Sequence, residues 1–163
     1  MASKHQHLST YREETIPSGD HFRIGIIVSE WNSAITEKLF QGCYNILLKH
    51  EVKTENIITV YVPGSFELPQ AAQLLMESQE LDAVICLGCI IKGETRHDEY
   101  ISSAVANGIM QISLDYSTPV IFGVLTTENE QQALDRAGGK HGNKGDEAAV
   151  TALRMAAIRE KLI

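Results

Sequence analysis

The sequence predicts an α/β domain: a three-layer, doubly wound parallel sheet of four main strands with helices on both faces. Strand-like and helix-like segments alternate four times along the chain. The strand-like segments are nearly continuous apolar runs rather than alternating ones, the mark of strands covered on both sides. The 163 residues carry no internal repeat and suffice for one domain with a full core.

Each element follows from local pattern. Phe22 to Ser29, rich in Ile and Val, reads as the first strand. Asn32 or Ser33 can cap a helix to about His50, because Ile35, Leu39, Cys43, Ile46 and Leu47 recur at helical spacing. Ile57 to Val62 is a β-branched second strand, stopped by Pro63-Gly64. Glu67 to Ser78 places Leu68, Ala71, Ala72, Leu75 and Met76 on one helical side. Leu81 to Leu87 is the third strand, and Asp98 to about Ser113 the third helix, with Thr95 and Asp98 spaced as a capping box. Val120 to Leu125, introduced by Pro119, is the fourth strand. Thr127 and Glu130 give a second capping box for a helix from about Glu128 to Ala137, stopped by Gly138-Gly139. A last helix spans roughly Asp146 to Leu162. The arrangement is of the flavodoxin-like kind. Residues 1–20 read as a polar N-terminal tail and 21–163 as a single α/β domain.

Composition excludes several function classes. The net charge of −7 and pI of about 5.3, with no basic stripe, argue against nucleic-acid binding. No run approaches the ~18 apolar residues of a membrane span. The first twenty residues lack the apolar stretch of a signal peptide, so a cytoplasmic location is expected. Three cysteines suit a reducing compartment better than a disulfide framework. Cys86 and Cys89 have the spacing of a redox dithiol or half a zinc site, but no second pair accompanies them, and Cys86 falls within a strand. Cys43 reads as core. No metal or cofactor is expected. His5, His7, His21, His50 and His141 read as surface residues without chemistry.

The densest chemistry lies between Gly88 and Tyr100, which read as a strand-to-helix turn, where α/β proteins place ligands. It holds Lys92, Arg96, two glycines, and His97 in the first helical turn. Free N–H groups at a helix start attract anions such as phosphate. They also disfavour a further positive charge, which favours an uncharged His97 able to accept a proton. The other strand ends carry Trp31-Asn32, Pro63-Gly64-Ser65-Phe66-Glu67 and Thr126-Thr127. Trp31 and Phe66 can sandwich a flat heterocycle, and Asn32 and Glu67 can hydrogen-bond its edges. Taken singly, each residue has a plainer reading: Trp31 and Phe66 as packing, Thr95 as a cap, Arg136 as a helix-end cation, Lys144 as a loop lysine. Their clustering at one sheet edge is what raises the functional reading.

Five segments carry a resemblance: Trp31-Asn32; Pro63-Gly64-Ser65-Phe66-Glu67-Leu68-Pro69; Gly93 to Tyr100; Pro119 to Thr127; and Arg136-Ala137-Gly138 with Gly142-Asn143-Lys144-Gly145. In this order and spacing, from about Phe22 to the end, the chain resembles the lumazine synthase family. The resemblance implies a transferase of riboflavin biosynthesis that condenses 5-amino-6-(D-ribitylamino)uracil with 3,4-dihydroxy-2-butanone 4-phosphate. The products are 6,7-dimethyl-8-ribityllumazine, phosphate and water. It implies that Trp31 stacks on the pyrimidine and that Asn32, Ser65, Phe66 and Glu67 hold the ring and ribityl chain. The main chain at Ile90 and Ile91 would contact the ring. Glu94 (through its backbone), Thr95 and Arg136 would bind phosphate, and His97 would be the catalytic acid/base. Phe122 and Lys144 match substrate-site positions, Phe122 being offered to the pocket of the adjacent subunit. The implied assembly is a homopentamer with active sites between subunits. The short link Gly138 to Gly145 favours an icosahedral capsid of 60 subunits, in some members associated with riboflavin synthase. Trp31 stands where many members carry Phe, and Lys92 where Arg is frequent. Glu94 puts an acid beside the phosphate, with Arg96 as a nearby compensating cation.

The chemistry suits such a site. The substrates bring their own amine and ketone, so no activated Ser, Cys or Lys is required. Holding two reactants in register lowers a barrier by roughly 7–11 kcal/mol, and a placed acid/base adds about 10²–10⁴-fold. A non-catalytic flavin or lumazine binder on the same scaffold would keep Trp31 and Phe66 but would not need Thr95, His97 and Arg136 together. A shell protein without catalysis would tolerate change at His97. A flavodoxin-type electron carrier is disfavoured because Ser29-Glu30-Trp31-Asn32 stands where its phosphate loop would be.

Overall fold

The computed structural model describes residues 7–163, so His5 lies outside the described residues. A four-stranded parallel sheet runs in the order β2-β1-β3-β4. Its strands are β1 (Ile24–Ser29), β2 (Ile57–Val62), β3 (Ala83–Ile91) and β4 (Val120–Thr127). The main helices are α1 (Ser33–Lys49), α2 (Leu68–Ser78), α3 (His97–Asp115) and α5 (Lys144–Leu162), with a one-turn α4 (Glu130–Leu134). A small antiparallel hairpin, β5 (Ala137–Gly139) and β6 (Gly142–Asn143), leads into α5. No helix of the described residues is long and apolar enough to cross a membrane.

The three layers follow from the period-two geometry of a strand. Ile24, Ile26 and Val28 of β1, with Ala83, Ile85, Leu87 and Cys89 of β3, pack under α1 and α5. Ile27, Val84, Cys86 and Ile90 point the other way, under α2 and α3. Neighbouring residues thus serve opposite cores, which is why these strands are apolar throughout. Each fully buried Ile or Leu contributes about 1.5–3 kcal/mol relative to an exposed one.

Several expectations are corrected. β3 runs to Ile91 rather than Leu87, so Gly88 to Ile91 are strand and the turn proper is Lys92 to Arg96. Thr95 and Asp98 form no capping box: Arg96 holds the N-cap place of α3 and no side-chain cap bond is made. Before α4 the cap is Asn129, whose side chain accepts from the Gln132 N–H, while Thr127 donates its hydroxyl to the Asn129 carbonyl. α4 ends at Leu134, not Ala137, and the glycines that follow build the hairpin, Gly138 and Gly142 both at positive φ. Asn32 does not cap α1 with its side chain. His50 is half-buried rather than superficial, and its Nε2 is enclosed without a hydrogen-bond partner among the described residues. All three cysteines are buried thiols. Cys86 and Cys89, three residues apart on one strand, point into opposite cores, so they cannot act as a paired dithiol. Burial pushes both thiols up to about 12.

The described part of the N-terminal segment folds back on the domain. Ile16 is buried, the Leu8 N–H donates to the His141 carbonyl, and the Asn143 N–H donates to Ser9 Oγ. Glu13 pairs with Lys49, and Tyr11 lies edge-on to His50 with ring centroids 6.4 Å apart.

Candidate active site

The order β2-β1-β3-β4 reverses its direction of travel between β1 and β3, and ligands of open α/β sheets sit in the crevice outside the strand tips at such a point. Hydrogen bonds lace each tip to the next. The Glu30 and Trp31 N–H groups donate to the Val62 and Pro63 carbonyls at 2.8 and 3.0 Å, tying β1 to β2. Asn32 Nδ2 donates to the Cys89 carbonyl at 2.9 Å, tying β1 to β3. The Lys92 N–H donates to the Thr127 carbonyl at 2.8 Å, tying β3 to β4.

On this frame Trp31 is 72% exposed and Phe66 is 56% exposed. These are large apolar surfaces left in water beside a crevice, as a stacking platform requires. Phe66 belongs to a 3-10 turn, Ser65–Glu67, that precedes α2. Ser65 is buried, and its hydroxyl finds no hydrogen-bond partner among the described residues. An enclosed hydroxyl without a partner carries a desolvation cost that a bound polar group would relieve. Gly88 makes room for it: a Cβ there would lie 2.6 Å from Ser65 Oγ and 2.9 Å from Leu68 Cδ1. The Glu67 carboxylate reaches back toward Gly64.

Peptide orientation along β3 separates Ile90 from Ile91. The Val84 and Lys92 N–H groups both reach partners on the β4 side, so even-numbered residues present their peptide groups to β4 and odd-numbered ones to β1. Ile90 therefore faces β4, in register with Thr126. Ile91 faces β1, whose pairing with β3 has already ended at Val28 and Leu87.

The turn after β3 exposes Lys92, Gly93, Glu94, Thr95 and Arg96. His97 is the first residue of α3 and is exposed. Two of the cations are already paired: Lys92 Nζ with Glu128 at 2.9 Å, and Arg96 with Glu99 through Nε at 2.9 Å and Nη2 at 2.8 Å. Arg96 is thus held by Glu99 rather than turned toward Glu94. The Glu128 carboxylate raises the Lys92 ammonium above its usual value. Arg136 follows α4 at the neighbouring strand end, half-buried, with Nη1 donating to the Gln132 carbonyl at 3.0 Å.

Phe122 and Lys144 stand apart from that cluster in the protomer. Phe122 lies within β4, opposite Cys86. With Lys144 it lines a groove of about 430 Å³ along the outer edge of β4, together with Met110, Ile121, Glu147 and Thr151. Lys144 Nζ pairs with Glu147 at 2.8 Å.

Comparison with known proteins fits this geometry. Residues 21–160 match the family described as 6,7-dimethyl-8-ribityllumazine synthase. The chain belongs to the lumazine synthase family. It is 55% identical over 157 residues to the 6,7-dimethyl-8-ribityllumazine synthase of Cytophaga hutchinsonii, covering 96% of this chain and 98% of that one. It is 54% identical to the protein of that name from Parabacteroides distasonis (95% and 97% covered). The namesake from Porphyromonas gingivalis is also 54% identical (97% and 98% covered).

Within a lumazine synthase fold, the sequence offers side chains for the strand tips but not the tie between them: the Cys89 carbonyl is a main-chain group that no side-chain pattern marks, whereas the main chain of Ile90 and Ile91 is already expected at the ring from the family resemblance. The hairpin before α5 did have a signal, glycines flanking Lys140-His141 in a span too short for a helix.

Proposed function

We propose that this chain is a 6,7-dimethyl-8-ribityllumazine synthase acting in riboflavin biosynthesis, and that its reaction takes place in the crevice between the tips of β1 and β3. The observation that carries the reading is the near-full-length identity to enzymes of that name. The arrangement of Trp31, Ser65, Phe66 and the Ile91 peptide around one crevice supports it. The aminopyrimidine stacks on Trp31, with Ser65, Phe66 and Glu67 along the ring and ribityl chain and the main chain of Ile90 and Ile91 at the ring edge. The phosphate of the butanone lies at the turn after β3, held by the Glu94 N–H, Thr95 and Arg136. The substrate's 5-amino group attacks the ketone, and one water leaves the carbinolamine. Phosphate then leaves the carbon skeleton, the ribitylamino nitrogen closes the second ring on the carbonyl this elimination leaves, and a second water departs. His97 moves protons in these steps, and the cations stabilise the departing anion.

Phe122 and Lys144 complete the pocket of an adjacent subunit, which their place on the outer edge of β4 supports. The assembly is a homopentamer. The tight β5–β6 hairpin keeps the link to α5 short, which favours a 60-subunit capsid able to associate with riboflavin synthase. The enzyme is cytoplasmic, with a domain over 21–163 preceded by an N-terminal segment.

The test is to mix the protein with both substrates and follow lumazine absorbance and fluorescence. Product that requires both substrates and the protein is expected. Binding of the pyrimidine without turnover would contradict the synthase reading and favour a non-catalytic flavin or lumazine binder.

A further inference from the structure

Asn32 has φ 62° and ψ 42°, in the left-handed region, which asparagine enters more readily than most side-chain-bearing residues. It occupies the N-cap place of α1, and its own carbonyl accepts the Ile35 and Thr36 N–H groups at 2.9 and 3.1 Å. Its side chain caps nothing. Instead, Nδ2 crosses the mouth of the crevice to the Cys89 carbonyl, 57 residues away in sequence.

That carbonyl lacks a strand partner for a definite reason. Pairing between β1 and β3 ends at Val28 and Leu87, while β3 continues to Ile91 along β4 alone. By alternation, Cys89 presents its peptide groups to the side that β1 has left. A carbonyl abandoned at a half-buried strand tip costs free energy unless a donor reaches it.

We propose that Asn32 is a positioning residue: its amide replaces the missing rung of β1, and so holds the tip of β3 with the Ile91 peptide facing the pyrimidine. The hydrogen it gives to Cys89 is not available to the substrate. Its left-handed backbone turns the chain from the segment after β1 into α1 and leaves Trp31 at the rim, anchored by its N–H to the Pro63 carbonyl. One residue thereby sets the spacing between the stacking indole and the ring-edge peptide. This deepens the synthase reading and rests on it.

The test uses the full-length protein and Asn32→Gly, which keeps the left-handed backbone and deletes the amide. Asn32→Asp, which keeps the shape and opposes a carboxylate to the Cys89 carbonyl, serves if the glycine variant folds poorly. Hydrogen exchange of the ligand-free protein reads the tie itself. Exchange in peptides spanning residues 88–96 should quicken about fivefold or more, as loss of one hydrogen bond implies, with α2 unchanged. Steady-state kinetics should show kcat lowered about tenfold or more, as misplacement of reactants implies, with KM for the pyrimidine little changed. Wild-type exchange at 88–96 would overturn the proposal, and so would a loss carried wholly by KM, which marks a direct ligand. If the unsubstituted protein makes no lumazine, the synthase reading fails, while the exchange result still decides whether Asn32 ties the two tips.

Discussion

His97 opens α3 from an exposed position at the end of the turn, Lys92 to Arg96, that joins β3 to that helix. In the proposed mechanism amine and ketone both come from the substrates, so loss of His97 would remove proton transfer but not alignment. His97→Ala should lower kcat by about 10²–10⁴-fold and leave measurable turnover; an unchanged rate would remove it from the mechanism. Arg136 has a different expected signature. Its guanidinium would meet the phosphate in the ground state as well as during departure, so Arg136→Ala should raise KM for the butanone phosphate along with lowering kcat, and an effect on the pyrimidine KM alone would refute the assignment. At this scale the sequence exposed side chains whose chemistry is unusual for a turn, such as Trp31, Phe66 and His97. It offers Asn32 as a helix cap or as a hydrogen-bonding partner of the ring, and only the fold brings the Cys89 carbonyl to its side chain.

The central strands were legible because β1 and β3 serve two cores and are apolar almost throughout, which leaves little ambiguity. Their ends were less so. Gly88 reads as a breaker, yet it is a strand residue kept small by Ser65. The sequence pattern overruns α4 because the helix-forming residues Glu130 to Leu134 lead without a break signal to the next glycines, which in the fold belong to the hairpin. α5 crosses α1 so closely at Gly145 that a Cβ would collide with the Leu39 carbonyl. Gly145→Ala should cost about 1–3 kcal/mol, seen as a Tm lower by several degrees, and an unchanged Tm would show that the crossing yields. The N-terminal segment lies against His50 through Tyr11. Burial first, then Lys49, lowers the His50 ring below its ordinary 6.5, against the opposing pull of Glu13 and Glu51. Above that value the ring is neutral whether folded or not. As pH falls below it the unfolded chain takes up a proton that the fold resists, so stability is lost on acidification. Between about pH 7 and about pH 5.5 the Tm of the unsubstituted protein should fall further than that of His50→Gln; equal slopes would place the titration elsewhere.

The whole molecule presents β4 as an outer strand whose edge groove holds Phe122 and Lys144, on the far side of β3 from Trp31. A closed ring of protomers would bring that edge to a neighbour's strand tips, so light scattering should report a mass of at least five chains, and a stable monomer with full activity would show that one protomer suffices. The family and its reaction could be read from five short segments because those segments keep a fixed order and spacing along the chain; the assembly is expected only through that resemblance, because the residues that would contact a partner look like ordinary edge-strand and helix surface. The proposed reaction requires the pyrimidine to lie on the indole at the tip of β1. Trp31 is the chain's single tryptophan, so its emission reports on that place alone. Titrating the protein with 5-amino-6-(D-ribitylamino)uracil should quench this emission, with half-saturation at the KM found for the same substrate. Turnover with Trp31 emission unmoved would put the ring somewhere else and contradict the account.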